Sequence, residues 1–348
     1  MNPLHTRLLI VLLVLLSTQA CIPPSRSSRD FVASLEGQLG FEDFSADDVW
    51  YMLDFSGTTA KKRQSDKSAL GVVSPDGEWR LLFIEEEDTN GDGVVDDGDR
   101  SLLYLSRVGS SEKKRVDLPF PVGTCAWGTE YMIAACSFAA SDVTPNEKAT
   151  GDNSVVYVVD LQSGELLKRL SDPSKSSWAP NWSPDGSMIA FETGTRNEGQ
   201  LEEVGIQVVD VRTGELVYEI VEPSSDDPVW SPDGTRLAFV ASLESGEYSE
   251  ATIERMYGDV FYVDLHEESP TPVNVTRTSR FSDIPACLTH LGGIMVSDPI
   301  WSPDGEAIAS VWRRDSNEQI WVTSVDSDEW ARLTGGSGHW YLLIEWRP

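Results

Sequence analysis

Four segments of this chain set the same turn between two apolar runs: "VVSPDGEWRLLFI", "PNWSPDGSMIAFET", "PVWSPDGTRLAFVA" and "PIWSPDGEAIASVW". Pro fixes φ, Asp caps the turn through its side chain, and Gly accepts positive φ, so each copy predicts an apolar strand, a tight reversal and a returning strand. The turns fall at Ser74–Gly77, Ser183–Gly186, Ser231–Gly234 and Ser302–Gly305. A fifth, worn copy is centred on Trp127, and a sixth begins in the terminal "YLLIEWRP", where the chain stops just as its turn should start. Self-similarity of this kind constrains architecture more tightly than local propensity does.

A second half-motif of strand, turn and strand alternates with the first. It reads "VVYVVDLQSGELLKRLS" from Val155, "IQVVDVRTGELVYEIV" from Ile206, "VFYVDLHEESPTPVNVT" from Val260 and "QIWVTSVDSDEWARLT" from Gln319, with a fifth copy from Leu102. The sixth copy, "VWYMLDFSGTTAKKRQS" from Val49, is out of order, because it precedes every copy of the first half-motif. Paired half-motifs give four strands per unit, and six units predict an all-β, six-bladed β-propeller closed by N- and C-terminal strands. The closing blade would take its inner strand from Trp340–Trp346 and outer strands from Val49–Lys61, which protects the edges that a linear stack exposes. One strand of that blade is then missing, and "DFVASLE" at Asp30–Glu36 is the candidate for it. The domain reading is a signal peptide over 1–20, a tether over 21–48 and the propeller over 49–348.

The repeated "WSPDG…IAF" followed by "V…D…SGE…LT" resembles the TolB-like propellers, and such repeats also occur in the propeller domains of prolyl oligopeptidase-type enzymes. The likeness covers Val49 to Pro348. It implies the fold and says little about activity, since propellers are platforms for many chemistries. The prolyl oligopeptidase resemblance fails at the decisive place, because no α/β-hydrolase domain follows the repeats. The nearest serine element, "GGSGHW" at Gly335–Trp340, lacks the final Gly of a nucleophile elbow and reads as a loop between blades.

The chain begins "MNPLHTRLLIVLLVLLSTQAC". Arg7 precedes an apolar stretch, Leu8 to Leu16, that is short for a membrane span and gives way to small and polar residues, the pattern of an export signal. Its end, Ser17-Thr18-Gln19-Ala20-Cys21, resembles a bacterial lipobox, with Thr18 where that motif usually has Leu. Lipid modification of Cys21 is favoured by a lone Cys at a cleavage site; ordinary cleavage after Ala20 is the alternative. The expected location is outside the cytoplasm, lipid-anchored in the cell envelope (periplasm or outer membrane). Export places the other cysteines where disulfides persist. Cys125 and Cys136 flank the worn turn and would face each other across a hairpin. A free Cys287, or no disulfide at all, is equally compatible with the odd count.

With 27 basic against 57 acidic residues, the chain carries a formal charge of −30. That argues against nucleic acid and against anionic membrane surfaces as partners, so membrane contact is expected only through the lipid anchor. One acidic segment is patterned. Asp88, Asn90, Asp92, Asp96 and Asp99 place oxygen donors at alternating and then wider spacing, Gly93 allows a sharp reversal, and Val94 can offer its carbonyl. This resembles an EF-hand loop and predicts bound calcium, with Asp rather than Glu at the twelfth position and strands rather than helices flanking it. Without paired helices to open, such a site is a structural staple rather than a sensor.

Trp182, Trp230, Trp301 and Trp346 recur at one place in the repeat, which predicts packing between blades. Asp227-Pro228 and Asp298-Pro299 precede two of them on innermost strands, where a channel-facing carboxylate could bind a ligand, although capping of the backbone is the simpler role. Of the histidines beyond the signal, His266 falls in an outer-strand turn, leaving His290 and His339 as a weak candidate metal pair.

In a four-stranded meander, the first-to-second and third-to-fourth turns share one end of the ring. Here they are uniformly short. The other end receives every long insertion: Glu85–Ser101, Ala140–Ser154, Thr193–Val204, Ala241–Gly258 and Ser279–Val296. Long loops concentrate function. The expectation is therefore a non-catalytic, monomeric propeller binding a protein or polymer partner at its long-loop end. The alternative is a propeller enzyme, a polysaccharide lyase or hydrolase, with a site at the channel mouth. Three or more convergent His, Asp or Glu side chains there would favour the enzyme, and a broad apolar or aromatic patch would favour binding.

Overall fold

The Ser-Pro-Asp-Gly turns build one hydrogen-bonded box four times. In the Ser302 copy, Ser302 Oγ donates to Asp304 Oδ1 and accepts from the Ala307 amide, while Asp304 Oδ1 accepts from the Glu306 amide. The Ser74, Ser183 and Ser231 copies repeat these bonds with Asp76, Asp185 and Asp233. The glycine closing each box has φ between 71° and 73°, a conformation that side chains resist. Donated bonds favour the ionised carboxylate. The Ser231 hydroxyl, followed by the Thr235 amide and hydroxyl, accordingly draws Asp233 down to about 2 against the cost of burial. Ser302 is fully buried, so Ser302→Ala strips two buried bonds and should cost about 1–2 kcal/mol of stability in chemical denaturation. A loss below the scatter of surface substitutions would show that the box is ornamental.

The computed structural model describes residues 29–43, 49–55, 61–64, 72–84, 102–130, 132–140, 153–197, 200–220, 225–242, 258–267, 270–277, 295–314, 317–334 and 341–348. Outside them lie the readings placed on the signal, on Cys21, on the calcium loop Asp88–Asp99, and on Cys287, His290 and His339.

Six four-stranded antiparallel sheets form the blades. The first runs β4 (Val72–Val73), β5 (Trp79–Ile84), β6 (Leu102–Arg107) and β7 (Lys113–Arg115); the second runs β8 (Cys125–Trp127), β9 (Ile133–Ala139), β10 (Ser154–Asp160) and β11 (Leu166–Arg169). The third holds β12 (Ser176–Trp182), β13 (Met188–Asn197), β14 (Gln200–Asp210) and β15 (Leu216–Ile220). The fourth holds β16 (Ser225–Trp230), β17 (Arg236–Ser242), β18 (Gly258–Asp264) and β19 (Val273–Asn274). The fifth holds β20 (Met295–Trp301), β21 (Ala307–Arg314), β22 (Asn317–Ser324) and β23 (Trp330–Arg332).

The closing blade differs from the sequence reading in its strand order, because the expected direct pairing of Val49–Phe55 with the C-terminal strand does not occur. Its order is β24 (Tyr341–Arg347), β1 (Gln38–Asp43), β2 (Val49–Asp54) and β3 (Lys61–Gln64). The strand left unassigned is Gln38–Asp43, inserted between the C-terminal strand and Val49–Asp54, which therefore do not pair directly. Asp30–Glu36 does not supply it: Arg29–Ser34 forms α1, with Phe31 and Leu35 buried one helical turn apart in the core beneath the closing blade. The blade thus begins inside the segment read as tether. A second difference concerns Thr193–Val204. That insertion is not an irregular loop, because β13 and β14 continue past the blade as a hairpin paired out to Asn197 and Gln200.

Two of the motif tryptophans stitch blades together, Trp230 Nε1 donating to the Asn181 carbonyl and Trp301 Nε1 to Val229, while Trp346 Nε1 donates to Glu36 and ties β24 to the segment entering β1 of its own blade. Ser or Thr ending the second half-motif fastens the outer strand: Ser171, Thr276 and Thr334 accept the amides of Val156, Val260 and Ile320.

Candidate functional site

Inner strands line the axis of a propeller, and three of them carry the same irregularity. Register shifts between Trp178 and Asn181, Asp226 and Val229, and Ser297 and Ile300. At each bulge the residue before proline has positive φ: 47° at Ala179, 51° at Asp227 and 51° at Asp298. That conformation is costly for a non-glycine residue and worse before proline. It persists because a bulge frees one amide from the ladder, and the preceding blade accepts it.

Thr124 Oγ1 accepts the Ala179 amide, and Asp227 Oδ2 accepts the Asp298 amide. In both cases the acceptor stands three residues before the Trp of its own repeat. Ala179 occupies that position in the third blade and has nothing to offer the fourth. Glu192 substitutes from the neighbouring strand β13, with Oε1 accepting the Asp227 amide. In the fifth blade Glu318 on β22 plays the corresponding part, Oε2 accepting the Tyr341 amide. These residues sit near the starts of β16, β22 and β24 and past the middle of the blade portion of β13, so they gather toward the long-loop end.

The electrostatic result is a cluster that holds protons. Burial, then Asp227 and Asp226, push Glu192 up to about 8 against hydrogen bonds from the Asp227 amide and Trp178. Burial, then Asp227 and Asp298, push Asp226 up to about 7. Burial raises Asp298 to about 6, with Asp227 and Glu318 adding to it and Ser297 opposing. Burial also raises Asp227 and Glu318, opposed by the Asp298 amide in the first case and by the Tyr341 amide and Arg313 in the second. Asp226 is exposed and its carboxyl is the more readily hydrated of the two, whereas Glu192 is only 6% exposed. Glu192 is thus the firmest proton holder, and the protons belong to the coupled set rather than to single residues.

Asp227 and Asp298, read as candidates from sequence, are brought together here: the Asp227 carboxyl caps the Asp298 amide, and the Asp298 carboxyl accepts from the Ser297 hydroxyl. Glu192, Asp226 and Glu318 were missed. Only Asp226, beside an Asp-Pro bulge, carried a signal that could have found it. His266 lies 3.9 Å from Asp264 in the turn after β18, at the short-turn end and away from the cluster. Cys125 and Cys136 face each other in register on β8 and β9 and are joined by a disulfide, Cα atoms 4.1 Å apart. Among the described residues no three His, Cys, Asp or Glu side chains are grouped to hold a metal ion.

No family model matches the chain, and no curated protein matches it in sequence. Solved structures do match in fold. TolB from Acinetobacter baumannii is 14% identical over 89% of this chain and 67% of its own, with TM-score 0.53. An oligogalacturonate lyase in complex with manganese is 13% identical over 85% of this chain and 87% of its own, with TM-score 0.51. The chain has a β-propeller fold distantly similar to that of TolB.

Proposed function

We propose that this is an exported, non-catalytic propeller, tethered through Cys21, that binds a protein or polymer partner at its long-loop end and carries calcium in the Asp88–Asp99 loop. The observation that carries the reading is the unlike construction of the two ends. One end repeats a single turn box four times, leaving little for selection to shape. The other carries a carboxylate cluster and connections that differ in length and composition from blade to blade. Calcium fixing one of those connections would reduce the ordering entropy lost on docking.

The carboxylate cluster also favours the enzyme reading, because more than three acidic side chains converge, and Glu192 and Asp226 hold protons in the range useful for acid–base chemistry. Binding remains the better supported of the two, since Glu192, Asp227 and Glu318 each spend an oxygen on a backbone amide that holds the ring. An acidic channel also repels an anionic polysaccharide, so a polymer partner would be neutral or cationic.

The test is crosslinking of the mature protein in envelope extracts, with and without chelator, followed by mapping of the linked residues. Crosslinks are expected at the long-loop end, weakened by chelator and abolished when residues 241–258 or 279–296 are replaced by Gly-Ser. Crosslinks concentrated on the Ser74–Gly77, Ser183–Gly186 and Ser302–Gly305 turns would reverse the face. Depolymerisation of a neutral polysaccharide that disappears in Asp226→Asn would instead establish the enzyme.

A further inference from the structure

We propose that Glu192, Asp227, Asp298 and Glu318 form a proton-dependent latch that fastens the inner strands of the third to sixth blades at the long-loop end and loosens as the cluster ionises. This holds whether or not a partner docks there.

The latch is a sequence of carboxyl-to-amide bonds, each crossing from one blade to the next. Glu192 on β13 accepts from Asp227 on β16 at 3.1 Å, Asp227 accepts from Asp298 on β20 at 3.2 Å, and Glu318 on β22 accepts from Tyr341 on β24 at 2.7 Å. Each donor is an amide displaced from its own ladder by a bulge or a strand start, so the side chain of the preceding blade replaces a backbone partner. A protonated carboxyl still accepts through its carbonyl oxygen, and the bonds survive protonation. Ionisation is what threatens them, because successive links are like charges.

Among the described residues, the groups acting on the chain of links are the following. Glu192 faces Asp226 and Asp227 from β16, with the Trp178 indole donating to it. Asp226 faces Asp227 and Asp298. Asp298 faces Asp227 and Glu318, with Ser297 donating from its own strand at 2.7 Å. Glu318 has a described cation acting on it, Arg313 on β21, whose guanidinium also reaches the Met295 sulfur. Tyr341 faces Asp43 and Tyr51 as well as Glu318. No described lysine or arginine is among the groups setting the titration of Glu192, Asp226, Asp227 or Asp298.

The sign follows from linkage. These acids titrate higher in the folded chain than in the unfolded one, so the folded state binds the extra protons. The stability those protons lend is complete below the ordinary carboxylate range. It is lost progressively as pH rises toward the folded value of about 8 for Glu192. The Ser74, Ser183 and Ser231 boxes at the opposite end respond in the other direction, because Asp76, Asp185 and Asp233 are drawn down.

The experiment measures urea midpoints of the mature chain from pH 5 to 9 at fixed ionic strength, with hydrogen exchange of peptides spanning 225–230, 295–301 and 72–84 at pH 6 and 8, corrected for intrinsic rates. The wild-type midpoint should fall across this range. Glu192→Gln keeps an acceptor for the Asp227 amide and cannot ionise, so it should flatten the fall and raise the midpoint at pH 8–9. Asp298→Asn should do the same to a smaller extent and serves if the first variant does not fold. Glu165→Gln, on an exposed turn, should leave the slope as it is. In the wild type, peptides 225–230 and 295–301 should lose protection at pH 8 while 72–84 does not. An unchanged slope in the cluster variants, equal flattening by Glu165→Gln, or protection lost evenly at both ends overturns the latch.

Discussion

A chain ending at Thr334 loses its cooperative thermal transition. The missing β24 is the inner strand of the closing blade, paired along β1 from Gln38↔Arg347 to Asp43↔Tyr341. Tyr341 and Trp346 are buried in the same cluster as Leu39, Phe41, Leu53 and Phe55. Their rings meet Phe41 at 5.6 Å and Phe55 at 5.3 Å. Truncating Trp346 alone, by Trp346→Ala, should cost about 3–5 kcal/mol. Removing the whole strand adds the loss of Tyr341, a ladder of backbone bonds and the fresh exposure of β1, against a total stability of about 5–15 kcal/mol for an ordinary domain. Calorimetry should show a broad or absent transition for the truncated chain and a normal one when only the exposed Pro348 is removed. A synthetic peptide of residues 335–348 should restore the transition. A sharp, undisplaced melt of the truncated chain would falsify the closure.

Replacing both cysteines, as Cys125→Ala with Cys136→Ala, should lower stability by about 3 kcal/mol on the loop-closure argument. The bond closes a short loop, the cysteines being separated by 11 residues, and its value lies in where that loop falls. The second blade is the one whose turn has decayed: "WGTEYM" replaces the Trp-Ser-Pro-Asp-Gly sequence. Met132 takes positive φ there without being glycine. The stitch from the following blade is also missing, since the buried Trp182 Nε1 has no hydrogen-bond partner among the described residues, whereas Trp230 and Trp301 each find a carbonyl. Inner strand β8 is only three residues long. The disulfide holds together a hairpin that the box no longer holds. Denaturation of the double variant beside the wild type measures this, and a loss under 1 kcal/mol would mean that packing of Trp127 and Phe138 suffices.

The blades were legible because turn chemistry repeats. Ser, Asp and Gly are each demanded at their positions by a bond or a φ value, so the pattern survives while the strands vary. The Gln38–Asp43 strand was overlooked because it has no such turn beside it. Its signal was the alternation of Leu39, Phe41 and Asp43 on the buried face, which a search anchored on Pro-Asp-Gly passes over. Phe31 and Leu35, four apart, carried a helical period in the segment considered as a strand. At the channel, Asp227 and Asp298 stood out because Asp-Pro repeats before Trp. Glu192 did not, since it sits in "IAFET" where the equivalent places hold Ser137, Val240 and Val311. Only the missing side-chain acceptor at Ala179 explains why a glutamate is wanted there, and that deficiency becomes visible once the third and fourth blades are side by side.

The antiparallel pairing of β1 with β24 sets how this ring answers a mechanical load. Gln38 lies beside Arg347 and Asp43 beside Tyr341, so both ends of the polypeptide leave the pair at the same edge. A force drawing the termini apart does not shear the ladder, which would require its hydrogen bonds to fail together. It peels the ladder one residue pair at a time, each step opposed by bonds individually worth only about 0.5–1.5 kcal/mol. A force applied instead across β16 and β20 must separate neighbouring packed sheets and the tryptophan stitch between them at once. The ring is therefore weak along the axis that joins its own ends and strong around its circumference.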